Sequence, residues 1–279
     1  MLKNKVRRSV IAGTWYPDRP EELQKTINGF LDNVEPQTAT DALVGLIAPH
    51  AGYTYSGQVA AYAYKQLQHS APFDLIVIIS PLHRIPFGRF VVTSAAAYET
   101  PLGQVRLDDE TVEALAEKVQ IDRVDRDGEH SLEIQLPFLQ VALGDFRLLP
   151  VMIGESSLEA GQELGIALAE VLRDKKSLLV ASTDLHHIPD YDEVVRRDKI
   201  VMDAIATFDI ARIKEVLSPW DCSVCGRIPV YAMLTAARAL GANRAKILHH
   251  TTSGDVTGDR RPGQYTVGYM AAAVYRGKE

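Results

Sequence analysis

Asp74-Leu75-Ile76-Val77-Ile78-Ile79-Ser80-Pro81-Leu82-His83 decides how this chain folds. Five consecutive aliphatic side chains leave no polar face, so the run reads as a strand buried on both sides, of the kind found in a sheet covered by helices. Pro81 interrupts it and His83 follows two residues later. Two other stretches share the design. The run over 43–48 gives way to Pro49-His50-Ala51-Gly52-Tyr53, and the run over 177–182 to Thr183-Asp184-Leu185-His186-His187. Ligands of α/β sheets bind outside the carboxyl ends of the strands, so a histidine leaving a strand is already placed for function.

Working outward, further strands are predicted at 89–94, 146–153, 246–251 and 265–274. Helical patterns fall at 21–31, 57–68, 109–118, 132–142, 158–172, 192–207, 210–216 and 227–240, with Pro137 set to delay or kink the fourth. The alternation predicts an α/β fold, a three-layer αβα sandwich around a central mixed sheet. The stretch 89–107 reads as an inserted β-hairpin turning near Glu99-Thr100-Pro101-Leu102-Gly103. No linker, repeat or low-complexity segment divides residues 1–279, which are expected to form one domain.

Composition agrees with a globular chain: 279 residues, 46% hydrophobic and 24% charged. The net charge of -6 and the lack of a basic block argue against a nucleic-acid partner. No apolar run is long enough for a membrane helix, and the apolar stretch after the basic residues 1–8 is too short for a signal peptide. A cytoplasmic protein is expected. Cys222 and Cys225 are too few for a disulfide framework.

Seven of the eight histidines (His50, His83, His130, His186, His187, His249 and His250) fall at strand ends or in loops, and only His69 stands apart at a helix end. For His50 and His83 the competing reading is a turn histidine bonded to backbone. Asp184 with His186 and His187 supplies a ligand, an orienting carboxylate and a base within four residues; the bland alternative is a capped turn. Glu129-His130-Ser131-Leu132-Glu133 opens a helix, so His130 and Glu133 face a cleft or merely cap it. Ser56 is a candidate cap for the helix after Gly52. Cys222-Ser223-Val224-Cys225 is a lone Cys-x-x-Cys with no second pair for a zinc site. It reads as a redox pair, as one thiolate at Cys225 completing a His–His–Cys site, or as two small buried hydrophobes. His249 and His250 should point to opposite faces of their strand, beside the glycine–acid loop at 253–260.

Taken together, these segments resemble the MEMO family, also described as the AmmeMemoRadiSam system protein B family. The likeness runs from Arg8-Ser9-Val10-Ile11-Ala12-Gly13-Thr14-Trp15-Tyr16-Pro17 through the segments at His50, His83, His130, Asp184 and Cys225-Gly226-Arg227 to Ser253-Gly254-Asp255. It implies a fold similar to that of class III (LigB-type) non-haem iron extradiol dioxygenases. It further implies that His50 and His83 ligate a metal, that Cys225 stands where those enzymes place a carboxylate ligand, and that His187, near Asp184, is the cleft acid/base. Iron(II) is the implied cofactor, with copper or zinc as alternatives, and the family's system name implies a radical-SAM partner. The thiolate departs from the two-histidine, one-carboxylate pattern of non-haem iron oxygenases and shifts preference toward softer metals.

Three functions follow. The first is a metal-dependent oxidoreductase using His50, His83 and Cys225 for the ion, His187 with Asp184 for proton transfer, and His130 with Glu133 for substrate. The second is a metal- or peptide-binding protein without turnover. The third is a metal-free enzyme with Cys225 as nucleophile and His187 as base.

Overall fold

The computed structural model describes residues 5–35, 41–70, 72–83 and 88–277. Residues 1–4 of the basic start lie outside that set. In chain order the strands are β1 (Val6–Arg7), β2 (Ala42–Ala48), β3 (Leu75–Pro81), β4 (Phe90–Thr93), β5 (Ala97–Thr100), β6 (Gly103–Arg106), β7 (Ile121–Val124), β8 (Arg147–Ile153), β9 (Ser177–Ser182), β10 (His187–Ile188), β11 (Arg244–Thr252) and β12 (Thr266–Arg276). The helices are α1 (Pro20–Asp32), α2 (Tyr53–Tyr64), α3 (Asp109–Ala116), α4 (His130–Glu133), α5 (Leu136–Leu143), α6 (Leu158–Leu172), α7 (Tyr191–Thr207), α8 (Ile210–Leu217), α9 (Arg227–Ala239) and α10 (Ser253–Thr257).

Nine of the described strands form a central mixed sheet flanked by helices. Its order is β10-β12-β2-β9-β3-β8-β4-β7, with β11 also paired to β12. The middle four, β2, β9, β3 and β8, run parallel, and every residue of β3 is buried. This is why β3 carries no polar side: both faces are covered. Antiparallel β12 closes one flank against β2. α2 packs on β2, β11 and β12, and α9 on β2, β3 and β9. A hydrophobic core runs from Ile11 to Tyr275.

Because β2, β9 and β3 are neighbours and parallel, their carboxyl ends open side by side. The residues after them (His50, Asp184 to His187, and His83) therefore meet at one edge of the sheet.

Three local expectations need correction. The 89–107 stretch is not one hairpin: β4 joins the central sheet beside β8 and β7, and only β5 and β6 form the hairpin, which takes up β1 as a third strand. The turn falls between Thr100 and Gly103 as expected. The helix after Gly52 begins at Tyr53, whose N–H donates to the Trp15 carbonyl at 2.9 Å. Ser56 therefore lies inside its first turn and its hydroxyl donates to the Ala51 carbonyl at 2.8 Å instead of capping. The pattern over 132–142 splits into α4 and α5, with Pro137 in the first turn of α5, where its missing N–H costs nothing. α6 occupies the predicted 158–172 without change.

Candidate metal centre

His50 is buried just beyond β2, where its backbone N–H donates to Asp184 Oδ1 at 2.7 Å. Its ring Nδ1 lies 3.0 Å from Ser182 Oγ. The Ser182 hydroxyl has one proton, donated to the Ser131 carbonyl at 2.6 Å, and it accepts from Gln135 Nε2 at 2.8 Å. It therefore accepts from His50 as well, and the proton of the neutral ring sits on Nδ1. The Nε2 lone pair is left facing Cys225 Sγ, 3.1 Å away.

His83, at the exposed mouth, is fixed by the same device. Its Nδ1–H donates to Glu129 Oε1 at 3.0 Å and its backbone N–H to Oε2 at 2.6 Å. Glu129 is fully buried and caps α4 by accepting the amides of His130 and Ser131, each at 3.0 Å. Burial pushes its carboxyl up, but the hydrogen bonds from the His83 ring, the Ser131 amide and the His83 amide prevail and hold it at about 2. An ionised carboxylate behind an imidazole fixes the tautomer and raises the basicity of the other nitrogen. Burial, then the nearby His83 and His130, drive His50 well below the usual imidazole range. It is thus the neutral form that a metal requires.

His130 packs between these groups and Trp15: its ring centre is 4.7 Å from that of His83, 5.6 Å from that of His50 and 4.5 Å from that of Trp15. Donor atoms of His50, His83 and His130 lie within 4.8 Å of one another, and so do those of His50, Asp184 and Cys225. His50 is the shared corner. Of the three expected ligands, His83 falls in the first group with His50, and Cys225 in the second, and the three do not form one group.

Cys225 is delivered by the turn before α9. Its sulfur accepts the Asp184 N–H at 3.2 Å, and the next amide, of Gly226, donates to Thr183 Oγ1 at 2.9 Å. Gly226 is required by close approach: a Cβ there would lie 2.4 Å from the Ser182 carbonyl oxygen and 2.5 Å from Thr183 Cβ. Desolvation, and then Asp184, push the Cys225 thiol up. Asp184 itself is pushed up to about 7 by burial, against the pull of the His50 and Ala51 amides. Its Oδ1 is spent on those two amides, so it positions the His50 loop.

His187, half-buried in β10, lines the same cleft, and its Nε2 has no hydrogen-bond partner among the described residues. Burial and His83 lower its pKa. The cleft measures about 480 Å³ and adds Trp15, Tyr55, Val267 and Tyr269 to the groups named. Glu133, by contrast, is not brought to it. Its carboxylate pairs with buried Arg7 and accepts from the hydroxyls of Tyr16 at 2.6 Å and Ser9 at 2.5 Å and from the Val10 amide at 3.0 Å. Glu133 ties the N-terminal segment to α4. His186 also turns away, toward Asp198. His249 and His250 diverge as alternation requires, His249 stacking on Tyr62 and His250 bonding Asp198. His69 ends the 3₁₀ turn Lys65–His69; its side chain lies outside the described set. Glu129, Ser182 and Gln135 were missed as site residues; the one available signal was an acid placed directly before His130 at a helix start.

The fold and this cleft define an α/β protein with a candidate metal centre at the carboxyl ends of parallel strands. A family profile described as Memo-like protein matches residues 7–273. The chain belongs to that family. It is 36% identical over 284 residues to a MEMO1 family protein of Methanopyrus kandleri (97% of this chain, 99% of that one). It is 37% identical over 273 residues to one from Methanosarcina barkeri (96% and 100%) and 37% identical over 283 residues to one from Thermotoga neapolitana (96% and 99%). Among solved structures, an uncharacterized protein from Escherichia coli K12 shares the fold, with a TM-score of 0.54 at 16% identity over 84% of this chain and 99% of that one.

Proposed function

We propose that the cleft binds a transition-metal ion through His50, His83 and Cys225 and carries out a metal-dependent redox reaction on a small organic molecule. The observation that carries this reading is the pinned tautomer of both imidazoles. Ser182 and Glu129 take the Nδ1 protons, so two lone pairs face one cleft beside a thiol. The donor set fits iron(II), with copper or zinc as the alternatives that a sulfur ligand admits. When bound, iron or copper would supply Lewis acidity and one-electron chemistry, and zinc Lewis acidity alone. The protein's own work is separate. Trp15, Val267 and Tyr269 line the cleft and give it an apolar wall. His187 Nε2, unpartnered among the described residues, accepts or returns a proton in this reading. Asp184 holds the His50 loop, and His130 contacts the substrate. The free cysteines suit the reducing cytoplasm, and a radical-SAM enzyme is the partner that the family resemblance suggests.

The test is metal content by mass spectrometry after anaerobic purification, with His50→Ala and Cys225→Ser alongside. Near-stoichiometric metal in the wild type and its loss in both variants is the expected result. A wild type that takes up no Fe(II), Cu(I) or Zn(II) overturns the reading. Metal storage without turnover is favoured by one feature, the thiol in place of a carboxylate. Tight Cu(I) binding without oxygen uptake across a panel of catechol-like compounds is the outcome that would select it. The metal-free nucleophile has less support, because Cys225 is held as a thiol.

No helix among the described residues is long and apolar enough to cross a membrane.

A further inference from the structure

The other cysteine of the Cys-x-x-Cys belongs to a different cluster. His186 leaves the β9 loop away from the cleft, and both its backbone N–H and its ring Nδ1 meet Asp198 Oδ1, at 3.0 and 2.9 Å. Asp198 is fully buried in α7, and His250 Nε2 from β11 lies 2.9 Å from its second oxygen. β12 makes room for this carboxylate: a Cβ at Gly268 would lie 1.7 Å from Asp198 Oδ2. With Nδ1 engaged, the remaining ring nitrogen of His186 is the one left for Cys222, which lines the same pocket. Carboxylate and imidazole are thus hydrogen-bonded to each other and the thiol shares the pocket of the imidazole, the three groups that a cysteine nucleophile with an oriented base uses. Cys222 and His186 open on a pocket of about 260 Å³ walled by Ile200, Val201, Val216 and Pro219, separate from the cleft of His50.

We propose that Cys222, His186 and Asp198 form a second reactive site, in which Cys222 is the nucleophile toward small alkyl hydroperoxides. The alkyl group fits the apolar wall. The sulfur attacks the terminal peroxide oxygen, the S–O bond forms as the O–O bond breaks, and the alkoxide leaves as the alcohol with the proton from His186. Cys222 becomes a sulfenic acid; sulfur is oxidised by two electrons and the hydroperoxide is reduced by two. Asp198 is a positioning residue. Charge around the thiol agrees. Although burial opposes it, the His186 hydrogen bond, the Val224 amide and Arg227 lower the Cys222 thiol. The Asp198 hydrogen bond holds His186 at about 9 against burial. His250 from β11 faces Asp198, while Asp221, Arg196 and Arg197 edge the pocket, both arginines tied to Glu193.

The experiment is peptide mass spectrometry on the intact protein. A short iodoacetamide pulse across pH 5 to 9 reads thiolate character, and dimedone trapping after one equivalent of tert-butyl hydroperoxide reads the sulfenic acid. Cys222 should label with a midpoint below the free-thiol value of about 8.5 and form the dimedone adduct. Both signals should fall about tenfold in His186→Gln as the thiolate fraction falls, and Ile200→Trp should slow tert-butyl hydroperoxide more than hydrogen peroxide. A wild type in which Cys222 labels with an ordinary midpoint and forms no adduct overturns the proposal, whatever the folding of the variants. The same result in Cys225→Ser shows that this site stands apart from the metal centre.

Discussion

Glu129 does more than its place beside His130 suggests. One buried carboxylate accepts the His83 ring, the His83 amide and the first amides of α4. Its pKa is lower folded, at about 2, than unfolded, so it stabilises the fold above pH 4.5 and that contribution is lost as pH falls toward 2. Full loss is worth about 3 kcal/mol. Denaturant titrations of metal-free protein between pH 6 and 3 should show this slope, and Glu129→Gln should flatten it while lowering stability at pH 7. Glu133 is the contrasting acid. Glu133→Ala leaves Arg7 buried with Asp127 as its one acidic partner among the described residues, so unfolding should be easier by about 3 kcal/mol. Metal bound per folded molecule should not change. His130→Ala separates two roles: metal retained means a substrate contact, and metal lost means a third imidazole ligand.

At the scale of elements, the site depends on how closely α9 docks on the end of β9. Gly226→Ala drives a methyl into the Ser182 carbonyl and Thr183, and neither backbone can yield without moving Cys225 or the Asp184 loop. Metal affinity should fall at least as far as in Cys225→Ser, read by titration with a chromophoric chelator, with about 1–3 kcal/mol of strain on folding. The strands bearing His50, His83 and Asp184 were legible because apolar runs ended in proline or a turn, a pattern that survives any packing detail. The separation of β4 from its hairpin was not, because short strands pair according to which edge is free, and that is set by β8, residues 147–153. Asp198 went unread for another reason. It lies among Arg196, Arg197 and Lys199, like a surface acid, yet shares the buried stripe of Val194, Val201 and Ile205. A charge on an apolar stripe signals a partner, and that signal was available. For Glu133 the sequence left a cleft role and helix capping both open, and only the three-dimensional path of the N-terminal segment shows what it binds.

For the whole molecule, a ligand that binds only the folded state stabilises it through mass action, by about 4 kcal/mol at a thousandfold excess over Kd. Thermal unfolding with added Zn(II) should therefore shift upward in the wild type and stay fixed in His50→Ala. The donors around His50 come from far along the chain: residue 50, residue 83, residue 130 and residue 225. They meet only because β2 is wedged between β9 and β12, strands that enter more than a hundred residues later. During synthesis, then, β2 emerges long before its two neighbours exist and must wait for them. No complete ligand set can form on a growing chain until α9 has been made and β9 has been inserted. Contacts of this range close slowly. On the proposed metal reading, the ion would load onto a finished protein through the mouth at His83 and would not template its folding, so refolding rates should be the same with and without added Zn(II).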